Sequence, residues 1–308
     1  MGGSFCRQFA ARPDLEIVGL GRRAAALGNY IQADLTQPLT LDWKPDVVIH
    51  AAARSSPWGA LAEFRLQNVL ATQNVVDFCA AQGVPKLVYI SSSAVFYREE
   101  DQYGITEECP IALPFINAYA HTKYEGEEVV RQFAGDAIIL RPRAVFGPHD
   151  TVLFPRILRA AREGRMAAIT REGSPAIGDL IFVDSLCDYI LRAALLPGLT
   201  GAINLTNAEP VEIEAFIANI FQKLGLPPVT RRTSRSRALI LASLTEAFYR
   251  IFRPENEPPL TRFGVGALAF SKTFDVKKCL HVLGPPSVSM ENGVTRFVAW
   301  QKQALEAG

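Results

Sequence analysis

"MGGSFCRQFAARPDLEIVGLGRR" occupies residues 1–23, and its reading decides the fold. Its first half reads as a helix that begins almost at Met1. Its second half, Leu15 to Leu20, reads as an apolar strand running into the turn Gly21-Arg22-Arg23. A helix feeding a strand is the middle of a βαβ unit, because parallel strands need a crossover between them.

The same alternation continues outward. "DVVIHAAA" (46–53) is a continuous apolar run after Pro45. A helix-like stretch covers 59–82, with Phe64, Val69, Val75, Val76 and Phe78 on its apolar side. "KLVYISSS" (86–93) is the next strand, "AYAHTKYEGEEVVRQF" (118–133) has helical character, and "AIILRP" (137–142) is a strand again. Strands apolar on both faces suit a buried parallel sheet, and the helices between them suit its crossovers. The expected class is α/β with a doubly wound parallel sheet. Later stretches at 151–164, 179–196, 202–207 and 212–226 continue more loosely into a Pro-rich tail. The expected division is a larger unit over 1–170 and a smaller lobe over 171–308, sharing strands near 179–184.

Composition excludes several classes. The 308 residues carry 32 basic and 31 acidic side chains, a net charge of +1. That offers no nucleic-acid footprint. The five cysteines, Cys6, Cys79, Cys109, Cys187 and Cys279, are scattered and form no C-x-x-C. No disulfide or zinc framework is expected, and a cytoplasmic setting is. His121 and His149 lack metal-ligand spacing, so no metal site is expected.

Tyr119 and Lys123 in "YAHTK" carry the chemistry. At i and i+4 they share a helix face. An ammonium beside a phenol lowers the phenol's pKa of about 10 by stabilising the phenolate. Such a tyrosine can pass a proton as a ketone and an alcohol interconvert. The serines of "YISSSAVF" lie at the carboxyl end of the preceding strand, where open parallel sheets form their ligand crevice.

With these motifs in order, the chain resembles the extended short-chain dehydrogenases/reductases, often labelled NAD-dependent epimerase/dehydratase. "HAAA" (50–53), Asn68 in "LQNVLATQNVV", "ISSSAVF", "YAHTK", "LRPRAVFGPHD" (140–150) and "FVDSLCDYI" (182–190) match its pattern in sequence order. Ala71 stands where the family has glycine, and Phe146 where it has tyrosine. The resemblance implies a Rossmann-type sheet binding NAD(P) over 1–170 and a substrate lobe over 171–308. It implies Tyr119 as general acid/base and Lys123 as its partner and ribose ligand. Ser92, with Ser93 the runner-up, orients the substrate oxygen, and Asn68 supports the site. Implied cofactor contacts are Gly2, Gly3, Gly21, Arg22, Arg23, Asp34, Leu35, His50, Ala51, Ala52, Tyr119, Lys123, Pro142 and Val145. Ser93 and Phe146 are implied substrate contacts.

The cofactor type turns on Gly21. The acidic residue that binds a ribose 2′-hydroxyl in NAD-specific units falls on this glycine, followed by Arg22 and Arg23. NADP is therefore expected over NAD. The family's first strand and Gly-x-x-Gly-x-x-Gly loop are represented here only by Gly2 or Gly3. The expectation is that Met1 is an internal start, with roughly ten to fifteen residues upstream. A chain that truly began at Met1 would have a weakened sheet centre and poor cofactor affinity.

The tail at 238–284 resembles the 3β-hydroxysteroid dehydrogenase, sterol-4-carboxylate dehydrogenase and 2-alkyl-3-oxoalkanoate reductase branch. It implies a hydrophobic small-molecule substrate, either sterol-like or a long-chain 3-hydroxy/3-keto compound. Two other functions stand beside it, a nucleotide-sugar epimerase/dehydratase and a cofactor-binding protein with little catalysis. The apolar side of 236–253, with arginines around it, reads either as peripheral membrane contact or as a helix packed over the active site. The second is the expectation, since apolar stripes are usually core. A homodimer through the Tyr119 helix and the 59–82 helix is implied by the family.

Overall fold

The computed structural model describes residues 1–24 and 29–306. Helix α1 (Gly2–Phe9) buries Phe5 and Phe9, and β1 (Gly19–Gly21) pairs with β2 (Tyr30–Gln32). β3 (Val47–His50) leads to a helix in three parts: α2 (Leu61–Phe64), a π-helical stretch (Arg65–Leu70) and α3 (Ala71–Gln82). α3 stops at Gly83, whose φ of 62° is the left-handed conformation favoured in helix caps. β4 (Lys86–Ile90), a 3₁₀ turn (Ser93–Phe96), β5 (Gln102–Ile105), α4 (Ala118–Val130) and β6 (Asp136–Pro142) follow. Next come β7 (Val145–Phe146), α5 (Phe154–Arg162), β8 (Ala168–Thr170), β9 (Ile177–Gly178), β10 (Ile181–Phe182) and α6 (Val183–Leu195). The chain ends with β11 (Gly201–Leu205), β12 (Val211–Glu212), α7 (Ile213–Lys223), β13 (Arg232–Ser234), α8 (Arg235–Phe252), α9 (Arg262–Ala269), β14 (Lys272–Phe274), α10 (Lys277–Leu283) and α11 (Met290–Glu306).

The main sheet runs β11-β6-β4-β3, all parallel, with Ile90 opposite Leu140 and His50 opposite Tyr89. Side chains alternate across a strand, so β4 feeds two cores. Val88 and Ile90 meet Phe5, Phe9 and α6 on one face. Leu87 and Tyr89 meet Val75, Val76 and Phe78 of α3 on the other. This is the Rossmann-like, doubly wound α/β class that the alternation predicts.

The Leu15–Leu20 strand is corrected. Only Gly19–Gly21 pairs, and it pairs with β2 rather than with the main sheet. Among the described residues no strand lies against β3 on the side away from β4. A strand needs a neighbour to satisfy its ladder, and Leu15 and Ile17 instead pack on the core beside Val47 and Ile49.

A second core gathers Phe146, Phe154, Phe182, Phe216 and Phe297. The expectation for 236–253 is half corrected. α8 forms, but it packs on α9 through Ala238 and Ala242 with Leu239 beside them, and six of its large apolar residues stay outside. Among the described residues no helix is long and apolar enough to cross a membrane.

Candidate active site

The carboxyl ends of β3 and β4 meet the first turn of α4. Ser91 continues the ladder by donating its N–H to Leu140 at 2.7 Å. Ser92 then caps the 3₁₀ turn, its Oγ accepting from the Ala94 N–H at 3.2 Å. Asn117 caps α4, accepting from the Ala120 N–H at 2.9 Å, which sets Tyr119 in the helix's first turn. The Tyr119 hydroxyl lies among the hydroxyls of Ser92 and Ser55. Burial pushes its pKa up, and the hydrogen bonds of the two serines oppose that rise.

Lys123 is 2% exposed, with its Nζ 4.1 Å from the centre of the Tyr89 ring. Burial lowers its pKa to about 7, against the pull of Glu127. The expectation that Lys123 drags the Tyr119 phenol down is therefore corrected. At Tyr119 desolvation outweighs the hydrogen bonds of the two serines, so the phenol sits above its ordinary value, and at Lys123 it outweighs the attraction of Glu127. Tyr89 comes close to α4 because residue 126 is glycine: a Cβ there would collide with the Tyr89 hydroxyl.

Two buried networks fix this helix. The π-helical stretch turns Asn68 inward, where its Oδ1 accepts from the Arg54 N–H at 2.7 Å and its Nδ2 donates to Thr122 Oγ1 at 3.0 Å. Thr72 hydroxyl donates to the Asn68 carbonyl and lies 3.0 Å from His50 Nε2. His50 is thereby satisfied in the core, and burial lowers its pKa to about 3. In the second network Arg141 grips the Glu127 carboxylate with two hydrogen bonds of 2.8 and 2.6 Å. Ser91 donates to the same carboxylate at 2.5 Å, and Arg131 adds a fourth donor at 2.8 Å.

The remaining predicted residues are placed as follows. Gly2 faces Ala51, 4.0 Å from where its Cβ would stand, and the Arg7 guanidinium folds back beside Gly3. A side chain on Gly21 would strike the Tyr30 hydroxyl, which donates to the Arg23 carbonyl at 2.7 Å. Arg22 Nη2 donates to Gln67 at 3.1 Å. Asp34 is held in a turn by Thr36, and the Leu35 carbonyl accepts from Asn74 at 2.8 Å. Ala52 is exposed and Pro142 buried, while Val145 pairs with Ile181. Ser93 is buried in the 3₁₀ turn. Phe146 is 0% exposed in the aromatic core, so it is packing rather than a wall of an open site.

Ser55 is a site residue the motifs do not mark. The rule that ligands gather at strand carboxyl ends points to it, since it lies five residues beyond β3. Arg143, just past β6, is also unmarked. It is buried near Tyr97 and Asp179, and its Nε has no hydrogen-bond partner.

These residues fit a nicotinamide nucleotide. The buried Lys123 ammonium lies against the Tyr89 ring, and its donors suit the hydroxyls of a sugar.

The profile of the NAD dependent epimerase/dehydratase family matches residues 1–203. The chain is similar to the 2-alkyl-3-oxoalkanoate reductase of Shewanella oneidensis, 31% identical over 97% of this chain and 83% of the relative. It is also similar to the 3beta-hydroxysteroid-dehydrogenase/decarboxylase isoform 2 of Arabidopsis thaliana, 30% identical over 88% of this chain and 51% of that protein. Among solved structures, the Bordetella bronchiseptica enzyme WbmH in complex with NAD+ superposes with a TM-score of 0.74. That likeness covers 98% of this chain and 95% of that one at 18% identity, a likeness of fold.

Proposed function

The chain belongs to the NAD dependent epimerase/dehydratase family, and we propose that it is an NAD(P)-dependent oxidoreductase interconverting a secondary alcohol and a ketone on a hydrophobic substrate. The observation that carries this reading is the grouping of the half-buried Ser92 and Tyr119 with the buried Lys123 at the carboxyl end of β4. The two relatives named for 3-oxo and 3-hydroxy compounds support a long-chain or sterol-like 3-hydroxy/3-keto substrate.

A bound nicotinamide supplies or accepts the hydride. The chain's own residues handle the oxygen. Ser92 holds the substrate oxygen by a hydrogen bond, and Ser55 steadies the Tyr119 hydroxyl. Tyr119, kept protonated by burial, donates its proton as the carbonyl becomes an alkoxide, and the reverse reaction needs it as a base. Lys123 holds the cofactor's sugar and adds positive charge one helical turn from Tyr119. Residues 1–170 serve the cofactor and 171–308 the substrate. Arg22 and Arg23 favour NADP, because a guanidinium suits a 2′-phosphate. A second copy docks on the groove between the π-helical stretch and α4, where Leu66 and Leu70 stand exposed beside Val69, Phe115 and Tyr124. The five free cysteines suit a reducing cytoplasm.

The test is to incubate the purified chain with NADPH or NADP+ and 3-oxo acids, 3-hydroxy acids, sterols or nucleotide sugars. Absorbance of the reduced cofactor is the readout. Turnover of a long-chain or sterol ketone or alcohol, lost in Tyr119→Phe, is expected. Turnover of a nucleotide sugar alone, or full activity in Tyr119→Phe, would overturn the reading.

A further inference from the structure

α8 is turned inside out relative to an ordinary surface helix. Its inward side is Ala238 and Ala242 with Leu239 beside them, and its outer side carries Ile240, Leu241, Leu244, Phe248, Ile251 and Phe252, each 50 to 70% exposed. At 100° per residue these six fall within an arc of about 120°. Exposed singly such residues need no explanation, but a contiguous stripe of this size marks an interaction surface.

Charge identifies what covers it. α8 and its C-cap hold Arg235, Arg237, Arg250 and Arg253 against one carboxylate, Glu246, which is occupied by the Arg262 N–H at 2.8 Å. Arg237 lies at the amino-terminal end of the apolar arc, while Arg250 and Arg253 border its far end. Arg231 and Arg232 extend the positive charge upstream and are exposed. A second copy of this chain seated on the stripe by a two-fold axis would bring these arginines against each other. An apolar face rimmed by arginines is instead complementary to the interface of a bilayer with anionic headgroups.

We propose that α8 docks this protein on the surface of an anionic membrane, with its apolar stripe sunk to the level of the acyl chains and its arginines at the headgroups. Beside the stripe, Ala247 and Arg250 of α8 line a cleft of ≈ 580 Å³ with Leu113, Phe115 and Ile116, whose other walls carry the charged Arg98, Glu99, Glu246 and Arg262. Leu113 in that cleft is 73% exposed. Docking along α8 therefore sets the cleft against the lipid. The helix lies on the membrane and does not span it.

Flotation of the full chain with vesicles tests this. The vesicles are phosphatidylcholine alone or phosphatidylcholine with phosphatidylserine, each at low and high salt. Strong flotation on the anionic vesicles, weakened by salt and by omission of phosphatidylserine, is expected. The double variant Leu244→Asp/Ile251→Asp, which touches no catalytic group, is expected to lose at least about tenfold in partitioning with an unchanged Tm. Arg237→Glu/Arg253→Glu is expected to abolish the preference for phosphatidylserine. Absence of flotation by the parent chain would overturn the proposal, as would flotation that the apolar double variant leaves intact. A parent chain that ignores vesicles and whose dimer is broken by Leu244→Asp/Ile251→Asp would assign the stripe to a second copy.

Discussion

The Arg141 guanidinium on β6 meets the Glu127 carboxylate on α4 in a two-pronged ion pair, two turns beyond Tyr119 on the same helix. Both side chains are buried. Burying two charges costs hydration, and here four donors to one carboxylate offset it. The pair joins the catalytic helix to the central sheet.

Removing one partner leaves the other charge buried alone. Glu127→Ala is expected to lose about 3–5 kcal/mol of stability, read by urea unfolding at neutral pH. Burial raises the Glu127 pKa, but Arg141, Ser91 and Arg131 outweigh it and hold the carboxyl below its ordinary value. Its contribution is present at neutral pH and is lost as pH falls through that lowered pKa. A loss under about 1 kcal/mol would put the pair among weak surface bridges.

Gly126→Ala tests the close approach of Tyr89. In an open helix this change stabilises by about 1 kcal/mol. Here the new Cβ meets the Tyr89 hydroxyl, so destabilisation of about 1–3 kcal/mol is expected instead. Tyr89→Phe removes that hydroxyl, and the double variant is expected to recover most of the loss. Independent effects in the thermal melts would contradict the contact.

Tyr119→Phe keeps the ring and deletes the proton. The expected result is a fall in kcat of about 10²–10⁴ with little change in KM and an unchanged circular dichroism spectrum. A comparable rise in KM alone would make Tyr119 a binding residue.

Lys123 should govern the pH profile. Its pKa falls from an ordinary 10.5 to about 7, so between those values the unfolded chain holds a proton that the folded chain does not. Stability is therefore expected to rise with pH across that window. With protonated Lys123 holding the cofactor, kcat/KM for reduction is expected to fall as pH passes through about 7. Lys123→Met should remove both trends.

Arg22→Ala is expected to weaken NADPH binding about tenfold or more, the worth of a charge-assisted hydrogen bond, while changing NADH binding little. Fluorescence titration with each nucleotide reads the difference. Equal losses for both would shift the role of Arg22 toward the Gln67 contact it already makes.

The sheet is legible because β4 and β6 are apolar on both faces, a pattern few other structures accept. Tyr119, Lys123 and the serines are legible because strand end and helix spacing place them. Residues 15–18 misread because their composition suits a strand, while strand formation depends on a neighbour that composition cannot reveal. α8 misreads for a related reason. Periodicity finds its stripe, but only packing tells which side the small alanines turn inward. Ser55 and the Glu127–Arg141 pair need tertiary structure, since they join residues far apart in the chain.

The π-helical stretch at Arg65–Leu70 has a mechanical consequence for the helix that carries it. Its extra residue works as an offset of about 100° between the two ends of one rod. Asn68 faces the interior there, while Leu66 and Leu70, two residues to either side, stand outside. Deleting one residue there would give a more regular helix and swing Asn68 away from Arg54 and Thr122. The irregularity is a phase adjuster, and smoothing it would uncouple α3 from the catalytic helix.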